Sequence, residues 1–183
     1  MELAGRVALE TGAGRRVGQA IAVALGEHGA RVAVHFNESR AGADQTADRI
    51  RAHGSDARVF AADLRGVAAC ERLVDVVAGA FGGLDILVNS AAVMPRMAIG
   101  EVTAAEWDGL FALNLRAPFF LAQAAAKVMV ERGGGAVVNI ADLALYPAAD
   151  MSEGVVALWV AGEADADRAL AEVAALGYPV ARA

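Results

Sequence analysis

Cysteine and lysine are almost missing from this chain of 183 residues: Cys70 and Lys127 are the only representatives of each. A single cysteine excludes an internal disulfide and fits a reducing compartment. The three histidines (His28, His35 and His53) make no ligand cluster with it, so no structural zinc site is expected. Basic residues are also scarce, 16 against 22 acidic ones for a net charge of −6, which removes a general nucleic-acid footprint. No uncharged apolar run is long enough to span a bilayer, and no signal-peptide pattern opens the chain. The expectation is a soluble, cytoplasmic protein with no nucleic-acid or membrane partner.

What the chain does have is apolar content. A hydrophobic share of 57% and a mean hydropathy of +0.43 argue firmly against disorder, and the length suits one domain with a real core. Short apolar runs alternate with helical patterns. Val7–Leu9, Arg31–Phe36, Ala57–Phe60, Leu84–Val88 and Ala136–Ile140 read as strands. Helices are expected after the glycine turn with a stop at His28-Gly29, from about Ala41 to His53, around Cys70, Leu73, Val74, Val77 and Phe81, and through a long region ending at Glu131. Thr103 and Glu106 have the spacing of a capping box before Trp107, and Pro118 is expected to break or restart the helix that follows. Strands alternating with helices predict a parallel sheet covered on both faces.

The rest of the chain is organised around Arg6 to Leu25, RVALETGAGRRVGQAIAVAL. A buried strand meets a turn containing Gly12, Gly14 and Gly18, and a helix follows with Val17, Ile21 and Leu25 expected on its inner face. Strand, glycine turn and helix hold an anion well, because unpaired N–H groups and the helix dipole both point at it. The spacing Gly-x-Gly-x-x-x-Gly is one residue longer than the common dinucleotide fingerprint. Glu10, at the end of the strand, stands where an apolar residue is usual; buried without a partner it would be costly, and Arg6 or an arginine of the turn is the expected compensation.

Thr11-Gly12 through Gly18, Ala62-Asp63-Leu64, Asn89-Ser90-Ala91, Asn114-Leu115 and Val138-Asn139-Ile140 fall in the order and spacing of the short-chain dehydrogenase/reductase family. Over roughly residues 3 to 145 the chain resembles that family. Arg16, in place of a middle glycine, and Ala141-Asp142, in place of a serine pair, resemble its pteridine-reductase-like branch. The resemblance implies a Rossmann-like α/β fold: a doubly wound parallel sheet in three αβα layers, incomplete on its C-terminal side. Residues 1–145 would form the dinucleotide-binding domain, and 146–183 a divergent or truncated tail, a strand near 154–160 plus a short helix at 164–176 packed on the same domain.

The same resemblance assigns roles. Gly12 and Gly18 would admit the pyrophosphate, Asp63 would bind the adenine, and Asn89 and Ala91 would line the adenosine ribose. Arg40, with Arg15 and Arg16 of the turn, would meet the 2′-phosphate of NADP, the preferred cofactor, and Val17, Asn37, Ser39 and Leu64 complete the cofactor-binding set. Glu38 offers the carboxylate that would instead suit the ribose of NAD. Asn114 resembles the residue that kinks a helix and holds a proton-relay water; Asp142 and Tyr146 are further catalytic candidates, and Met94-Pro95-Arg96 would border the pocket of a small carbonyl or pterin-like substrate. The helix from Phe119 to Val130 suits a homo-oligomer.

One family element is absent. A tyrosine with a lysine four residues beyond it would supply and tune the proton. The corresponding positions here are Val155 and Trp159, and Lys127 is not preceded by tyrosine at that spacing. Three readings therefore stand side by side: a reductase, a nucleotide-binding chain without turnover, and a truncated or degenerate relic of a reductase that buries its apolar surface by associating.

Overall fold

Five short apolar strands carry a parallel sheet, and the order in which they sit fixes where a ligand can bind. The computed structural model describes residues 2–94, 100–142 and 156–157. Along the chain run β1 (Val7–Glu10), α1 (Arg16–Glu27), β2 (Arg31–Phe36), α2 (Arg40–Ala52), β3 (Ala57–Ala61), α3 (Val67–Phe81) and β4 (Ile86–Asn89). They continue with α4 (Ala104–Phe111), a π-helical turn (Ala112–Arg116), α5 (Ala117–Glu131) and β5 (Ala136–Asn139). The sheet order is β3-β2-β1-β4-β5, with every neighbouring pair parallel. The chain leaves β1 toward β3 and returns on the other side as β4. That reversal places a crevice beyond the C-terminal ends of β1 and β4.

Because β1 is central, all four of its residues are buried, as expected of a strand covered on both faces. One face carries Val7, Leu9 and Leu87 against Leu73, Val74 and Val77 of α3 and Leu121 and Met129 of α5. The opposite face packs Val32, Val34 and Phe36 against Val23 of α1 and Ala43, Ala47 and Ile50 of α2. This is the three-layer arrangement. Helix α3 follows the expected spacing and ends at Gly82 in the left-handed conformation, φ 78°. Its Cys70 is buried and donates to the Leu64 carbonyl, and burial pushes the thiol up to about 11.

Helix α1 keeps part of the expected face: Ile21 and Leu25 are half-buried against Ala8, Ile86 and Val88. Val17, by contrast, is 58% exposed, and the fully buried residues are Gly18, Ala22, Val23 and Gly26. Gly26 stands where the helix meets α2: a Cβ there would meet the Ile50 side chain at 2.5 Å. The Thr103–Glu106 capping box forms as read, and Pro118 sits in the first turn of α5, after the π turn. Observed strand and helix ends differ from expectation by one or two residues.

The chain divides into two units, Met1–Ala141 and Asp142–Ala183. A separate two-stranded ladder pairs β6 (Ala141–Asp142) with β7 (Val156–Ala157). The expected tail strand is described only at 156–157, and the expected helix at 164–176 lies outside the described residues, as does Tyr146. Among the described residues, no helix is long and apolar enough to cross a membrane.

At the end of the sheet opposite the crevice, Asp85 acts as a clamp. Its side chain is almost inaccessible and accepts from the Val7 N–H at 2.8 Å, from Arg132 at 3.1 and 3.2 Å, and from Arg6 at 3.3 Å. It thereby joins the start of β1, the approach to β4 and the exit of α5. Burial alone would raise the carboxyl, but the hydrogen bonds from Arg132 and the Val7 N–H outweigh it and hold the group below the usual aspartate range. This contribution is present above the ordinary aspartate pKa and lost as pH falls through the lower folded value. Asp85→Ala is expected to cost about 3 kcal/mol, because Arg132 and the Val7 N–H lose their acceptor. Urea denaturation checks this; an unchanged midpoint would show that the clamp contributes nothing.

Candidate functional site

The crevice is built on close backbone approach. Gly12 has φ +73°, and a Cβ there would lie 2.9 Å from the Ala91 Cα; a Cβ on Gly18 would lie 2.6 Å from the Gly12 carbonyl oxygen. Only glycine fits either position. Thr11 locks the turn to the exit of β4: its hydroxyl donates to the Val88 carbonyl at 3.2 Å and accepts from the N–H groups of Ser90 and Ala91 at 2.9 and 3.1 Å. Arg16, at the head of α1, has φ +51°, the left-handed region that costs a side-chain-bearing residue about 1 kcal/mol. That conformation accounts for the arginine reading as a replaced glycine.

His35 crosses from β2 to brace both halves of the crevice. Its Nδ1 accepts from the Gly12 N–H at 3.2 Å, and its Nε2 donates to the Ala62 carbonyl at 3.1 Å. Both contacts require the neutral ring with the proton on Nε2. Burial lowers the imidazole to about 4, against the opposing effect of the Ala62 carbonyl. Neither Thr11 nor His35 stood among the expected site residues. A histidine inside an otherwise apolar strand was the available signal, since a buried imidazole must find partners.

On the other flank, Asn89 donates to the Asn139 side chain at 2.8 Å, tying the ends of β4 and β5. Asn114 lies in the π turn, where the helix widens. Its carboxamide accepts from the Val93 N–H at 3.0 Å and donates to the Val93 carbonyl at 2.8 Å. Both ends of the side chain are thus spent on holding the segment that follows β4.

A cleft of about 590 Å³ opens between these elements. It brings together Gly12, Arg15, Asn37, Ser39, Asp63, Leu64 and Ala91 of the expected set, with Glu38 and Arg65 beside them. Gly18 and Asn89 are buried and do not line it, and neither do Arg16 and Val17, which are exposed at the head of α1. Arg40 does not face the cleft: its Nε donates to Asp44 at 3.1 Å on the surface of α2. Asp63 is also engaged, because Arg65 pairs with it at 2.6 Å and, by hydrogen bonding, holds its carboxyl below the usual range. Neither Arg6 nor the arginines of the turn compensate Glu10, since Arg6 joins Asp85 and Arg15 and Arg16 are exposed. Met94 is exposed, whereas Pro95 and Arg96 lie outside the described residues. Of the catalytic candidates, Asn114 has a described side chain; Asp142 is placed only by its backbone in β6, and Tyr146 lies outside the described residues.

The phosphate cradle fits a dinucleotide in one checkable respect: the space that a Cβ would fill at Gly12 and Gly18 is backbone-to-backbone contact. Comparison with known proteins agrees. The chain is 44% identical over 131 residues to the short chain dehydrogenase/reductase nsrJ of Aspergillus novofumigatus, a match covering 72% of this chain and 50% of the relative. It is 42% identical over 149 residues to the D-threitol dehydrogenase of Mycolicibacterium smegmatis, covering 81% and 56%. A metagenomic short-chain oxidoreductase solved in complex with NADP superposes with a TM-score of 0.73 at 37% identity, over 79% of this chain and 65% of that one. The chain thus spans about half the length of the curated relatives it matches. Residues 6–151 match the family model described as short chain dehydrogenase, and the chain belongs to that family.

Proposed function

We propose that this chain binds NADP in the cleft at the C-terminal ends of β1 and β4 and serves hydride transfer between that cofactor and a small carbonyl or alcohol. The observation that carries the reading is the glycine turn packed on Ala91, leading into a helix whose N-cap makes no side-chain hydrogen bond, so that its end suits a pyrophosphate. The NADP found with the metagenomic relative supports the choice of cofactor. When bound, the nicotinamide supplies or accepts the hydride.

The chain's own residues would do the holding. Gly12, Arg15, Arg16, Val17 and Gly18 receive the pyrophosphate; Asp63 and Leu64 take the adenine, and Asn89 and Ala91 the ribose. Asn37, Ser39 and Arg40 take the 2′-phosphate. The Arg40–Asp44 pair does not prevent this. It is an exposed i,i+4 pair worth about 0.3–0.5 kcal/mol, less than a charge-assisted bond to phosphate. Asn114 holds Val93 and so fixes the floor of the substrate side. A pterin-like substrate rests on Arg16 and Ala141-Asp142 alone, whereas the dehydrogenase and reductase relatives favour a carbonyl or alcohol.

The missing Tyr-x-x-x-Lys pair supports a second reading, a nucleotide-binding protein without turnover. The exposed row Trp107, Phe111, Leu115 and Phe119, at four-residue spacing across α4, the π turn and α5, supports self-association through this face.

Calorimetric titration is expected to show NADPH binding more tightly than NADH. Arg40→Ala should weaken NADPH about tenfold and leave NADH unchanged; tighter NADH would reverse the cofactor assignment. Gly18→Ala should abolish binding of both. Oxidation of NADPH with a panel of carbonyls separates the first reading from the second. His35→Leu should weaken both nucleotides about tenfold. In the parent chain the His35 contribution to stability is full above about pH 6.5 and is lost as the pH falls toward about 4. Acid melts of parent and variant should therefore converge across that window; a constant gap would mean that the ring does not titrate there.

A further inference from the structure

Glu10 is the one residue of the phosphate unit that the dinucleotide reading leaves without a task. Its side chain is 0% exposed, and both carboxyl oxygens lack a hydrogen-bond partner among the described residues. It is the last residue of β1, one position before the turn. Its ladder neighbours are Val34 of β2 and Val88 of β4. From α1 it meets Gly18, where Oε1 lies 3.3 Å from the position of an added Cβ. From the segment after β4, Ser90 is the polar side chain that partly offsets its burial, although neither carboxyl oxygen reaches it within hydrogen-bond geometry. No charged side chain among the described residues pairs with it: Arg6 is taken by Asp85, and Arg15 and Arg16 face solvent.

We propose that Glu10 is carried in the folded chain as a neutral carboxylic acid and acts as a positioning residue, filling the space beneath the phosphate turn only while it holds its proton. The reasoning is steric and electrostatic together. Gly18 lets the carboxyl lie against the first turn of α1, in contact with the same glycine that closes on Gly12. An ionised carboxylate in that position would lack the hydrogen bonds its charge requires. It would also put a negative charge under the helix end that is to receive an anion. Burial raises the Glu10 carboxyl well above the usual range, and the Ser90 contact offsets only part of this. A raised folded pKa makes the associated stability full below the ordinary glutamate value and removes it as pH rises through the folded one.

The decisive comparison is the parent chain against Glu10→Gln, which keeps the shape and cannot ionise. Thermal and urea unfolding would be followed from about pH 5 to pH 9, away from the acid range of the aspartates. The parent's unfolding equilibrium constant, taken relative to the variant's, should rise by up to tenfold per pH unit over part of that range, the linkage of one proton; His35, which titrates in both chains below about pH 6.5, cancels in that ratio. Parallel profiles would overturn the proposal. Should Glu10→Gln fail to fold, infrared spectroscopy of the parent decides. A protonated carboxyl band at neutral pH that disappears on raising the pH supports the proposal, and its absence overturns it. These measurements use no nucleotide, so they stand whether or not the chain binds one. A further arm rests on the NADP reading: NADPH affinity of the parent should fall about tenfold as Glu10 ionises, relative to Glu10→Gln at the same pH.

Discussion

Everything at the candidate site depends on how near the backbone after β1 can come to the backbone after β4. With Gly12 less than a side chain's width from Ala91, and Gly18 pressed on the Gly12 carbonyl, the turn cannot relax outward. Thr11 and His35 then fasten it sideways, to β4 and to the end of β3. The head of α1 is therefore aimed by contacts from three different strands. A lone glycine loop would have only its own conformational preferences to hold it, and its entropy would oppose any one geometry.

The parts of the molecule legible from the amino-acid order are those governed by periodicity and by glycine. The buried strands, the spacing of Cys70, Leu73, Val74, Val77 and Phe81, and the Thr103–Glu106 box all depend on local chemistry, and the structure reproduces them. Of the apolar residues at helical spacing in α1, Ile21 and Leu25 pack on the sheet as read, while Val17, in the first turn, projects past it and is exposed. His35 was not assigned a task, because its partners, Gly12 and Ala62, are remote in sequence and meet only when β2 lies between β1 and β3. The Asp85 clamp was hidden for the same reason.

The charges of the cleft show why composition alone says little about which anion binds. Counting arginines near the turn favours a phosphate, but in the structure Arg40 and Arg65 already have carboxylate partners, Asp44 and Asp63. Both pairs are exposed, so each is weakly held. Arg65 in the cleft lining and Arg40 on the adjoining surface of α2 are thus side chains that a phosphate could recruit at small cost, rather than a fixed positive surface. A dianion would draw these side chains over, and a neutral ligand would leave them paired.

Asp85 and the glycine turn sit at opposite ends of the same central strands, one joining where β1 and β4 begin and the other where they finish. That separation has an evolutionary consequence. Mutations that retune ligand choice around the turn fall on residues with no share in the clamp, so a lineage can trade one small molecule for another without first losing the scaffold. Conversely, drift at the clamp erodes the fold while leaving the binding motif intact to the eye. A well-preserved glycine signature in a relative of this chain is thus no guarantee that the body beneath it still stands.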